Sequence, residues 1–63
     1  MFDVIEVDIS SRRVTMMTDE PKSERTAEAI ERMAIFRRST DDNFFTVVDA
    51  GTYKDGDLYG EPS

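Results

Sequence analysis

The chain contains no cysteine, no histidine and no tryptophan. Without Cys there is no disulfide framework, no thiolate nucleophile and no cysteine-ligated zinc or iron–sulfur site. Without His the usual general base, the commonest metal ligand and the side chain that titrates near neutral pH are all missing. The three glycines, Gly51, Gly56 and Gly60, are wrongly spaced for a phosphate-cradling loop and open no helix. The five serines suit turns and helix caps, and none has a His to activate it. No apolar run approaches the roughly 18 residues needed to span a bilayer, and residues 1–6 lack the basic start and apolar core of a secretory leader. The expectation is a protein without catalytic, cofactor or metal sites, placed in the cytoplasm by elimination.

What remains is 63 residues, 38% hydrophobic and 35% charged, which is one small domain covering residues 1–63. A chain near this length buries only about 60% of the surface it exposes when unfolded. Short chains therefore recruit a staple, and with disulfides excluded and metal unsupported, self-association gains weight. Eight Lys+Arg against fourteen Asp+Glu give a net charge of −6. That charge repels DNA phosphates and anionic lipid, so neither nucleic acid nor membrane is an expected partner.

Carboxylates are the plentiful reactive groups. Asp41-Asp42 and Asp55-Gly56-Asp57 lack the ligand register of a calcium loop, and turn chemistry with solubility accounts for both. Arginines gather at Arg12-Arg13 and again at Arg32, Arg37 and Arg38. Without interleaved aromatics these read as solvated charge and as complements to a helix dipole.

The pattern along the chain is strand, strand, helix, strand. Residues 2–9 alternate as a half-buried strand does, and residues 12–18 resume the alternation after Ser10-Ser11, with a loop that can take in Arg12. Asp19-Glu20-Pro21 breaks the strand, and Ser23 is placed to cap a helix over 23–38. Glu24 in its first turn and Arg37-Arg38 in its last match the dipole. Thr26, Ala29, Ile30, Met33, Ala34 and Phe36 share its apolar face, while Ile35 projects among the charges. Residues 44–50 form a third strand after a Ser/Thr/Asp/Asn turn. Asp55-Gly56 signals a short hairpin folding Leu58-Tyr59 back on Thr52-Tyr53, with residues 60–63 frayed.

The fold class expected is α+β, a ββαβ chain with a three-stranded antiparallel sheet of order 2-1-3 and the helix on one face. Placing Ile5, Val7, Ile9, Val14 and Met16 beneath the helix, with Phe45 and Val47, leaves Val4, Thr15, Met17, Phe44, Thr46 and Val48 on the other face. That second face is too apolar to stand free. Its cover is the C-terminal segment, a second copy or a partner protein. The candidate interaction surface is Val4, Met17, Phe44 and Val48, with Ile35, Tyr53 and Tyr59.

The hairpin residues 4–8 and 12–14, the helical stretch Ala27-Glu28-Ala29-Ile30, the ending at residues 50–57 and an Arg-rich, Lys-poor composition together resemble the small accessory proteins of bacteriophages and prophages from GC-rich hosts. The resemblance implies a partner-binding role and carries no site residues. The leading expectation is a homodimeric protein-interaction module that binds a protein partner through an apolar sheet face. The alternatives are an acidic mimic of nucleic acid acting through surface charge, and a small structural subunit of a larger assembly.

Overall fold

The computed structural model describes residues 1–60. Its elements run β1 (Phe2–Asp8), β2 (Val14–Met16), α1 (Glu24–Arg38) and β3 (Asn43–Asp49). Among the described residues the strands form one antiparallel sheet of order β2-β1-β3. The expected class, strand order and element types are all present.

The β1–β2 connection is longer than a two-residue turn. Asp8 and Arg13 close it through Asp8 N–H to the Arg13 carbonyl at 3.0 Å, and Arg12 sits at φ 61°. The Asp8 carboxylate accepts from the Ser10 N–H at 3.0 Å and the Ser10 hydroxyl at 2.8 Å, fixing the start of the loop. β2 is correspondingly shorter than the expected 12–18. Ile9 leaves the sheet with the loop and is exposed.

Ser23 caps α1 as its sequence position implies, its Oγ accepting from the Thr26 N–H at 3.3 Å. The face on which the helix docks differs from the expected one. Ala27 and Ala34 are its buried residues, whereas Met33 is 53% exposed and Phe36 91%. Ala27 and Ala34 lie two turns apart on one side, and two small side chains let the helix backbone approach the sheet closely. The bulkier Met33 and Phe36 are then rotated towards solvent.

Register decides which sheet face the helix covers. Val7 stands opposite Phe44 and Val14, and Ile5 opposite Thr46 and Met16, so these residues share one face. Val4, Glu6, Phe45 and Val47 share the other. Glu6 approaches Arg38 of α1 at 4.0 Å and accepts from Asn43 Nδ2 at 2.6 Å, so the helix lies on the Val4 face. This corrects the expected arrangement of β1 and β2: Ile5, Val7, Val14 and Met16 lie on the side away from the helix. Phe45 is beneath the helix as expected, and Phe44 keeps company with Ile5 and Val7.

The face away from the helix is closed by the chain's own tail. Ile5, Val7 and Val14 form a buried cluster against which Met16, Phe44, Val48, Tyr53 and Tyr59 pack. Tyr59 stacks on Tyr53 with centroids 5.6 Å apart and meets Phe44 edge-on at 5.3 Å. Gly56, at φ +91°, supplies the left-handed turn that aims residues 57–59 back along β2.

No strand hairpin forms between residues 52–53 and 58–59. Instead the tail follows the outer edge of β2. Val14 N–H donates to the Asp57 carbonyl, Gly56 N–H to the Val14 carbonyl and Tyr59 N–H to the Arg12 carbonyl, at 2.8, 2.8 and 2.7 Å. Met16 N–H adds a bond to Asp55 Oδ1 at 2.9 Å. Of the expected frayed segment, Gly60 donates to the Tyr53 hydroxyl at 3.1 Å, and residues 61–63 lie outside the described residues.

Candidate interaction surface

The helix packs on β1 and β3 and leaves the β2 side of its sheet face open. Met17, just beyond β2, forms the floor of the resulting groove. Ile30, Met33 and Ala34 form the apolar wall, and Arg37 and Arg38 close one end. The groove has a volume of about 260 Å³ and opens to solvent. Helical spacing explains its composition. Ile30, Met33, Ala34 and Arg37 recur at three- and four-residue steps, which stack along one side of α1. Phe36 stands next to this wall and is almost fully exposed.

Charge and apolarity meet in this groove. The chain as a whole is acidic at −6, but two of its six arginines sit at the mouth of its apolar groove. An apolar anchor ringed by Arg is a composition favoured at protein interfaces.

The residues singled out from the sequence are divided between the two faces. Val4 is fully buried beneath the helix and is not a surface residue. Phe44 and Val48 are half-buried under Tyr53 and Tyr59, so those four residues form an internal layer. Met17 lines the groove, and Ile35, 46% exposed, stands on the opposite flank of the helix. The apolar sheet face expected to bind a partner is therefore covered by the tail, and Met33, Ile35 and Phe36 of the helix are exposed instead.

Asn43, expected only as a turn residue, also organises the helix C-terminus. Its Oδ1 accepts from the Thr40 N–H and hydroxyl at 2.8 and 2.9 Å, while its Nδ2 donates to Glu6 Oε2 at 2.6 Å and to the Arg38 carbonyl at 3.4 Å. One amide thus ties α1, β1 and the loop before β3 together. The available signal was that it is the single Asn, in a turn directly before a strand.

Three further carboxylates serve the fold. Asp55 bonds the Met16 N–H, Asp57 Oδ2 accepts from the Lys54 N–H at 2.8 Å, and buried Asp3 accepts from the Gly51 N–H at 3.2 Å. Among the described residues no three acidic side chains gather to hold a metal ion. None of their helices is long and apolar enough to cross a membrane. Bonds from the Ser10 hydroxyl, then from the Ser10 N–H, hold the Asp8 carboxyl below its ordinary value. Comparison with protein-family models, with curated proteins and with solved structures finds no match.

Proposed function

We propose that this chain is a small interaction module that acts by binding another protein rather than by catalysis, and that the partner docks in the groove between α1 and β2. The observation that carries this reading is the combination of an open apolar groove with arginines at its mouth on an otherwise acidic protein. The partner chemistry that fits is an amphipathic segment offering one or two aliphatic or aromatic anchors flanked by carboxylates. Its anchors would displace water from Met17, Ile30 and Met33, and its acids would meet Arg37 and Arg38. The resemblance to small phage accessory proteins points the same way, towards engagement of a host protein.

The test is binding of short amphipathic peptides with Leu and Phe anchors, flanked either by Glu or by Lys, read by fluorescence anisotropy. The Glu-flanked set should bind, the Lys-flanked set should not, and Met33→Asp should abolish binding while leaving the circular dichroism spectrum unchanged. Equal binding of both sets, or an indifferent Met33→Asp, refutes the proposal. Persistence of binding in 0.5 M salt at unchanged affinity would remove the arginines from it.

A further inference from the structure

The two edges of the sheet are treated differently. The outer edge of β2 is sealed by the tail, which bonds the Arg12 and Val14 carbonyls and the Val14 and Met16 amides. β3 is the other edge. Ala50 N–H donates to the Met1 carbonyl and Ile9 N–H to the Asp42 carbonyl, so even-numbered residues along β3 turn their backbone groups towards β1. Phe45 and Val47 turn theirs outwards, and among the described residues no strand lies alongside them.

This edge has none of the usual protection against pairing. It is seven residues long, and between Asn43 and Asp49 it carries Phe44-Phe45-Thr46-Val47-Val48, without Pro, Lys or any other charge. Natural edge strands are blunted by such residues, by bulges or by a covering segment. Among the described residues, a covering segment lies along β2 and none lies along β3.

We infer that a second copy of the chain pairs with this one along β3, antiparallel, about a two-fold axis through Thr46. That register overlaps all seven residues of both strands. Phe45 falls opposite the twin's Val47, Phe44 opposite its Val48 and Asn43 opposite its Asp49, so every apolar residue meets an apolar one. The outward amides and carbonyls of Phe45 and Val47 exchange bonds with those of the twin, joining two three-stranded sheets into one of six. Moving the axis to Val47 would set Asp49 against Phe45, and moving it to Phe45 would set Asn43 against Val47.

The helix supports the same axis. α1 starts beside Lys22, which pairs with Phe2 opposite Asp49, and ends where Asn43 Nδ2 bonds the Arg38 carbonyl. It therefore runs antiparallel to β3 over the whole strand. Neighbouring strands are about 4.8 Å apart, so a helix lying over β1 and β3 sits about 5 Å from the axis, and the two helices about 10 Å apart, an ordinary helix-packing distance. The side of α1 opposite the groove carries Glu24, Glu28, Glu31 and Ile35, at helical spacing. Antiparallel pairing sets the Glu24–Glu28 end of this stripe against the Ile35 end of the twin's. Ile35, exposed among charges in one copy, thereby gains a place between two helices. The groove lies on the far flank of each helix and stays open, so this inference does not rest on the partner-binding reading.

Sedimentation across a dilution series tests it, together with two variants at Thr46. The parent chain should pass from dimer to monomer on dilution. Thr46→Lys sets like charges directly opposite at the axis and should weaken self-association by about fivefold or more with the fold retained by circular dichroism. Because the chain lacks cysteine, Thr46→Cys should cross-link to its twin under mild oxidation. Cα atoms in such a directly opposed pair lie within disulfide reach. Thr15→Cys on the sealed β2 side should cross-link far more slowly. A parent chain that stays monomeric at high concentration, an unaltered dimer in Thr46→Lys, or equal cross-linking at positions 15 and 46 overturns the inference.

Discussion

Replacing Tyr59 by Ala should remove a large share of the stability of this protein, although the residue lies near the end of the chain. Its ring touches Tyr53 at 5.6 Å and Phe44 at 5.3 Å and helps cover the cluster of Ile5, Val7 and Val14. Each aromatic pair contributes about 0.5–1.5 kcal/mol beyond burial. Loss of a half-buried ring costs roughly 1–2 kcal/mol more in apolar contact, giving about 2–5 kcal/mol in all. A chain of this length has roughly 3–9 kcal/mol in total. Urea unfolding followed by circular dichroism measures the difference, and the midpoint should fall sharply. Tyr59→Phe keeps both ring contacts and should stay within about 0.5 kcal/mol of the parent. If Tyr59→Ala costs less than about 1 kcal/mol, the tail does not close the second sheet face and that part of the account is wrong.

Three further outcomes follow from the same geometry. Asn43→Ala strips the bonds to Thr40, Glu6 and Arg38 and should cost about 1–3 kcal/mol by urea unfolding. Gly56→Ala meets no atom within 4 Å, so its cost is that of the left-handed backbone alone, about 1–2 kcal/mol, whereas Gly56→Asn should cost less. Asp8 has a folded-state pKa below its unfolded one, so its contribution is present above the unfolded value and fades as pH falls through the folded one. Unfolding measured between about pH 5 and pH 2 should show this loss in the parent and a smaller one in Ser10→Ala, whose Asp8 titrates nearer its ordinary value.

The element order, the strand order and the Ser23 cap were legible because each rests on local signals: alternation, helical spacing and cap chemistry. Which face met the helix was not legible. Ile5-Val7-Ile9 makes the more apolar side of β1, and a helix with an apolar stripe would be expected to choose it. Two facts outside the local pattern reversed that choice. Ala27 and Ala34 gave the helix a close-packing side that its larger apolar residues could not offer, and two tyrosines in the tail were free to cover the richer face. The phase of β3 is equally nonlocal. Five successive residues without a charge give no alternation from which to tell Phe44 from Phe45, and pairing with β1 settles it. The Asp55-Gly56 signal marked a real turn, but not which edge the returning segment would join. As a result Phe44 and Val48 passed from candidate surface to a half-buried layer under the tail, and Met33 and Phe36 from expected core to surface.

The tail closes the sheet, and we propose that docking therefore falls to the helix groove. Residue-resolved NMR shift mapping with a Glu-flanked amphipathic peptide tests it most directly. Shifts should concentrate at Met17, Ile30, Met33, Ala34 and Arg37, with Phe44, Tyr53 and Tyr59 unmoved. Shifts centred on Phe44, Tyr53 and Tyr59, with the tail displaced from β2, would contradict it.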